Sequence, residues 1–169
     1  MKYLVVVDMQ KDFTDGVLGS ADAVKIIPRV KELCESFDGE VIFTRDTHTE
    51  NYLETQEGRR LPVRHCIKDT DGWQLSDTLQ EISKDAHIID KPTFGSIALA
   101  EYIKSKNDAE SVLLCGVCTD ICVISNAMLL KAFLPEVTVA VKEDACAGIT
   151  PESHNTAISA MKSCQIDIV

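Results

Sequence analysis

No stretch of the chain approaches the ~20 consecutive apolar residues of a transmembrane helix. Residues 1–30 lack a basic start followed by a long apolar core, so no leader is expected and the cytoplasm is the expected compartment. Basic clusters are missing too: 17 Lys and Arg stand against 27 Asp and Glu, a net charge of −10. That balance argues against a nucleic-acid backbone or an anionic membrane surface as partner. The seven cysteines are odd in number and irregularly spaced, unlike the framework of a disulfide-stapled secreted domain. Such thiols usually stay reduced inside cells and are candidates for core packing or catalysis. What remains is 169 residues with 45% hydrophobic content, enough to bury a sizeable core and suited to one domain over residues 1–169.

Short β-rich runs alternate with longer amphipathic stretches. The strand candidates are 3–7, 41–44, 86–89, 111–114, 137–141 and 165–169. Helices are predicted over 21–37, with a restart at Pro28, and over 75–82, 96–106, 119–133 and 151–162. Thr150 before Pro151 reads as an N-cap followed by proline at the first helical position. Near-continuous apolar strands joined by helices indicate a sheet covered on both faces. The expected fold is therefore α/β: three layers, α/β/α, around a six-stranded, mainly parallel, Rossmann-like sheet. Ligands of such sheets bind beyond the carboxyl ends of the strands. Asp8, Asp46, Lys91 and the turn from Cys115 to Cys122 all follow predicted strands, so this topology gathers them at one edge.

An acid after the first strand and a thiol after the fourth suggest a nucleophilic site. Cys122 falls where a helical pattern begins, and a helix N-terminus favours negative charge, so the thiol is expected to lean toward thiolate. Packing as a small buried hydrophobe is the duller alternative for Cys122. Asp8 could equally cap a loop, and Lys91 could be a solvated charge at a strand end. Cys115 and Cys118 also form a CxxC at a strand-to-helix junction, the setting of a thiol-redox pair. Redox chemistry would leave Asp8 and Lys91 unexplained.

The segment from Asp46 to Thr70 shows little helical or strand period, and long ordered loops in compact domains are usually functional. Asp46, His48 and His65 could offer one oxygen and two nitrogens to a divalent metal, with Glu54 or Glu57 as a further ligand. Zn²⁺ suits that set best, and Fe²⁺ or Mn²⁺ would be accepted. A polar loop of this length also collects such residues by chance. His87 and His154, in a predicted strand and helix, read as structural.

Five blocks occur in order: VVVDMQKDF at 5–13, TRDTH at 44–48, LPVRHC at 61–66, DKPTFGS at 90–96 and GVCTDICV at 116–123. On these blocks the chain resembles the isochorismatase-like cysteine hydrolases, and among them the nicotinamidases, over essentially its whole length. The resemblance implies a triad of Asp8, Lys91 and Cys122, with the cysteine as nucleophile, and a metal held by Asp46, His48 and His65. It also implies a cis peptide between Val117 and Cys118, directing the backbone N–H groups of Cys118 and Cys122 into an oxyanion hole. Phe13 would wall the substrate pocket. The implied reaction is hydrolysis of a small amide, nicotinamide first, to a carboxylic acid and ammonia, with a homo-oligomer as the family habit. A metal-free N-carbamoyl-type amide hydrolase of the same family is the alternative. One departure concerns specificity: nicotinamidases often place a tryptophan just before the second metal histidine. Here Leu61, Pro62, Val63 and Arg64 precede His65, and the single tryptophan is Trp73.

Overall fold

A computed structural model describes all 169 residues. Along the chain the elements are β1 (Lys2–Val7), α1 (Lys11–Thr14), α2 (Ala21–Ser36), β2 (Glu40–Asp46), α3 (Gln56–Arg60), α4 (Asp77–Ser83), β3 (His87–Lys91) and α5 (Ile97–Lys106). They continue with β4 (Ser111–Val117), α6 (Ile124–Phe133), β5 (Thr138–Ala147), α7 (Pro151–Ser163) and β6 (Asp167–Ile168). The strands form one six-stranded sheet in the order β3-β2-β1-β4-β5-β6, and every pairing is parallel. Helix α2 packs with α4 on one side, while α5, α6 and α7 pack side by side on the other. The three-layer α/β/α expectation therefore holds. No helix is long and apolar enough to cross a membrane.

The central strands read as unbroken apolar runs because both their faces are covered. Tyr3 to Val7 are all buried, as are Val112, Leu114, Cys115 and Val117 of β4. This order reverses direction between β1 and β4, where a crevice opens beyond the strand ends. Asp8 leaves β1 and Cys118 leaves β4 at that point.

Several boundaries differ from the sequence reading. Strand β2 runs to Asp46 and β3 to Lys91, whose Cα atoms pair across the ladder. These two residues are thus the last of their strands, because the β2–β3 pairing carries the extended backbone past the apolar run. Strand β5 continues beyond Val141 to Ala147 after a register shift against β4 between Leu114 and Gly116. The polar Lys142, Glu143 and Asp144 hid that continuation. Helix α2 does not restart at Pro28. Pro28 lies on the exposed side, whereas Ala23, Ile26, Val30 and Cys34 are buried, so the lost backbone bond falls toward solvent and core packing carries the helix through. The loop from Asp46 to Thr70 contains a 3-10 turn, Tyr52–Glu54, and helix α3, which Thr55 caps by accepting the Gly58 N–H at 3.0 Å. Both are too short to show a period.

Gly116 sits where β4 passes closest to β1. Its φ is +112°, and a Cβ there would lie 2.2 Å from the Val7 carbonyl oxygen. Gly116→Ala is expected to destabilise the protein by about 2–4 kcal/mol, read as a lower denaturant midpoint with an unchanged slope.

Candidate active site

Asp8 follows β1 with φ 49°, a left-handed conformation that aspartate tolerates better than most residues. This turn aims its carboxylate across the sheet end. Lys91 comes from two strands away, and its Nζ lies 2.6 Å from Asp8 Oδ2, with both side chains fully buried. Between them Thr44, on β2, donates its hydroxyl to Asp8 Oδ1 at 2.7 Å. The Lys91 ammonium also donates to the Thr93 carbonyl at 3.0 Å and reaches Asp46 Oδ1 at 3.4 Å and Cys122 Sγ at 3.5 Å. The structure thus brings Asp8, Lys91 and Cys122, from three distant segments, into one buried cluster.

Electrostatics follow from that burial. Burial works against the Lys91 charge, but Asp8, Cys122 and Asp46 outweigh it and hold the ammonium above its ordinary range. Burial raises the Asp8 carboxyl, opposed by Lys91 and reinforced by Asp46. Burial, then Asp8, pushes the Cys122 thiol well above the usual thiol range. The expectation of a resting thiolate is therefore corrected: Cys122 lies in a π-helical turn, Thr119–Val123, ahead of α6, and desolvation beside a carboxylate outweighs the helix-end field. The Asp8 carboxylate shares the Lys91 ammonium with that thiol. Its Oδ2 carries the Lys91 contact and no conventional hydrogen bond, leaving it able to accept a proton.

The peptide between Val117 and Cys118 is cis. The Cys118 N–H has no hydrogen-bond partner in the protein, whereas its carbonyl accepts from Ile121 and Val123 at 3.0 and 3.1 Å. Asn126, four residues beyond Cys122 on the same helical face, fixes the turn from behind. Its amide donates to the carbonyls of Cys122 and Phe94 at 2.8 and 3.1 Å, and its Oδ1 accepts the Ser96 N–H at 2.9 Å. Cys115 is fully buried, and burial pushes the Cys118 thiol up to about 12. Neither thiol has the low-pKa character of a redox-active dithiol.

Beside the cluster, ligand atoms of Asp46, His48, Glu57 and His65 all lie within 4.8 Å of one another. Asp46 Oδ2 is 2.9 Å from His48 Nε2 and 3.5 Å from His65 Nε2, and Glu57 Oε1 is 3.6 and 3.8 Å from the same nitrogens. The long loop is folded so that this happens. The His48 N–H donates to the Cys66 carbonyl and the Lys68 N–H to the His48 carbonyl, each at 2.9 Å. Gln10 brackets Asp46 from both sides, accepting its N–H at 2.7 Å and donating to its carbonyl at 2.9 Å. This resolves the choice left open by the sequence: Glu57 joins the group, while Glu54 is exposed and outside it.

The donor set fits a divalent metal. Two imidazole nitrogens and two carboxylates match zinc chemistry. His65 Nδ1 lies 2.8 Å from the Val63 carbonyl, the contact that turns the Nε2 lone pair inward in metal sites. Three carboxylates, of Asp8, Asp46 and Glu57, meet one ammonium here, and a dication would balance the excess.

Both clusters open into one cavity of about 320 Å³. Phe13, Leu61, Phe94, Cys118, Ile121 and Ile149 help to line it, with Asp46, Glu57, His65 and Cys122 in its wall. The Phe13 ring lies 5.4 Å from that of His65. Trp73 is not part of this lining: its indole packs under Arg45 at 3.6 Å and donates to Thr47 Oγ1 at 2.9 Å, bracing the strand end from outside.

The isochorismatase domain model matches residues 2–169. The chain belongs to the isochorismatase family. Among its relatives is the nicotinamidase of Saccharomyces cerevisiae, 26% identical over 216 aligned positions that cover 100% of this chain and 99% of the relative. Among solved structures, a pyrazinamidase of Pyrococcus horikoshii in complex with zinc superposes with a TM-score of 0.83 at 31% identity, covering 99% of this chain and 98% of that one. A nicotinamidase/pyrazinamidase of Bacillus subtilis gives 0.81 at 25% identity, covering 99% and 98%.

The sequence reading did not single out Gln10, Thr44 or Asn126 as site residues. Each is a buried polar side chain inside an apolar or motif segment, and that pattern was the available signal. Glu57→Ala is expected to weaken binding of a divalent ion at least about tenfold, with Glu54→Ala leaving it unchanged. Metal content after dialysis at controlled free ion concentration checks both.

Proposed function

We propose that this protein, as a single catalytic domain over residues 1–169, hydrolyses a small heteroaromatic amide, nicotinamide to nicotinate and ammonia. The observation that carries the reading is the shared cavity: its wall holds Cys122, whose sulfur contacts the Lys91 ammonium paired with buried Asp8, and also Asp46, Glu57 and His65 of the four-ligand group. The nicotinamidase and pyrazinamidase relatives support the substrate class.

In the proposed reaction Asp8 takes the Cys122 proton as sulfur attacks the amide carbon, and Lys91 keeps the pair charged in a site that would otherwise neutralise it. Negative charge then develops on the carbonyl oxygen, where the N–H groups of Cys118 and Cys122 receive it. Collapse expels the amine, Asp8 returns the proton, and ammonia departs, leaving a thioester on Cys122. Water, deprotonated by Asp8, attacks the thioester carbon. The carboxylic acid leaves and the thiol recovers its proton. Asp46, His48, Glu57 and His65 would hold the divalent ion, zinc first with iron or manganese as substitutes. When bound it supplies a Lewis-acidic point that orients a ring nitrogen or a water. Phe13 supplies an aromatic wall for the ring.

The four-ligand group favours this reading over a metal-free carbamoyl-amide hydrolase, which would not need it. Ammonia release from a panel of amides, nicotinamide first, is the test. Cys122→Ala should lower turnover by at least about 10³-fold, and Asp8→Asn comparably. Release from other amides but not from millimolar nicotinamide would overturn the substrate. No release from any amide by metal-loaded protein would overturn the hydrolase reading.

A further inference from the structure

Three residues, Thr119, Asp120 and Ile121, lie between the two N–H groups assigned above to the oxyanion. The first is tied to α7 and the second to the connection between β5 and α7. Thr119 is fully buried, and its hydroxyl pairs with His154 Nδ1 at 2.8 Å. Asp120 Oδ1 accepts the Ile149 N–H at 3.0 Å. Gly148 closes the gap: a Cβ there would lie 2.9 Å from Asp120 Oδ1 and 2.9 Å from His154 Cβ. Backbone and side chains therefore meet with no room between them.

The far end of this latch is itself fixed. Helix α7 starts with Pro151 and a reciprocal cap, in which Thr150 Oγ1 accepts the Ser153 N–H and Ser153 Oγ accepts the Thr150 N–H, both at 3.1 Å. The His154 N–H donates to the Thr150 carbonyl at 2.9 Å. His154 thus stands on a capped helix end, and its other nitrogen lies 4.0 Å from Glu143 Oε1 at the surface. A buried threonine hydroxyl paired to a rigidly mounted imidazole has one effect within reach: it holds the Cys118–Cys122 turn at a fixed depth relative to the cavity.

We propose that Thr119 and His154 are positioning residues for this reaction, setting the aim of the Cys118 and Cys122 N–H groups on the developing oxyanion without touching substrate. Asp120 and Gly148 complete the same latch. The proposal rests on the assignment of Cys122 as nucleophile. It gives His154, which the sequence marks only as structural, a role specific to the chemistry.

Two readouts on the metal-loaded enzyme separate positioning from mere folding. Amide turnover needs the oxyanion donors. Alkylation of Cys122 by iodoacetamide does not: sulfur displaces iodide from a saturated carbon, the thiol proton goes to Asp8, and no carbonyl oxygen gains charge. Thr119→Val and His154→Leu should each lower kcat about 10- to 100-fold while KM moves less than about threefold. The alkylation rate should stay within about twofold of wild type. Thr119→Ser, which keeps the hydroxyl, should recover kcat to within about threefold, and His154→Asn should recover part of it. Unchanged kcat in Thr119→Val and His154→Leu would overturn the proposal. So would alkylation falling in step with kcat, or a Thr119→Ser loss as large as that of Thr119→Val. Wild-type enzyme that releases ammonia while Cys122 resists alkylation, and whose turnover survives Cys122→Ala, would overturn the nucleophile assignment and the latch with it.

Discussion

The Asp8–Lys91 ion pair is the constraint on which the rest of the structure depends. Both side chains are fully buried at 2.6 Å, and an ammonium withdrawn from water is tolerable only when it is paired and hydrogen-bonded. Satisfying it takes contributions from three strands and a loop. Asp8 must turn left-handed at the end of β1, Thr44 of β2 must hold the second carboxylate oxygen, and β3 must reach far enough for Lys91 to cross above β2. The Thr93 carbonyl then takes a further ammonium proton. The strand order and the Asp46–Lys91 register are what make those positions coincide.

From that pair follows the behaviour of the thiol. A cysteine almost wholly buried beside a carboxylate holds its proton, so any nucleophilicity here is conditional on the presence of a base rather than permanent. Lys91 opposes this by favouring charge on sulfur and on Asp8 alike. A cluster of this kind keeps its thiol protonated at rest, where a free thiolate would be exposed to oxidation.

How much of this is legible in the sequence depends on the range of the cause. The apolar runs report the sheet because burial on both faces is written residue by residue, and the blocks at Asp8, Lys91 and Cys122 report the cluster because strand ends converge in any parallel sheet. His48 and His65 stand out as metal-ligand types within a polar loop. Glu57 over Glu54 is not legible: the choice is made by a 3-10 turn and a helix of five residues, too short for a period to show. The charge state of Cys122 is misjudged from sequence because a helix start is visible there and the depth of burial is not. Trp73 shows the same limit, since only the fold reveals that it braces Arg45 outside the cavity. Thr119 and His154 are 35 positions apart, and nothing local in either segment announces the other.

The site divides by mechanical origin, and the division bears on specificity. Asp8, Lys91 and Asp46 are anchored at strand ends, and Cys122 at a turn held from behind by Asn126 and from the side by α7. His48, Glu57 and His65 ride on the long loop, together with Leu61, which lies in the cavity wall. The carboxylate–ammonium–thiol cluster thus sits on parts whose geometry the sheet dictates, whereas most of the four-ligand group sits on a segment whose course depends on a few backbone bonds and on Gln10. The aliphatic wall, faced by Phe13 on one side and Phe94 on another, keeps the pocket apolar. The cavity is thus walled by two phenylalanines on separate segments and by Asp46, Glu57 and His65 of the four-ligand group, rather than by a single stacking face.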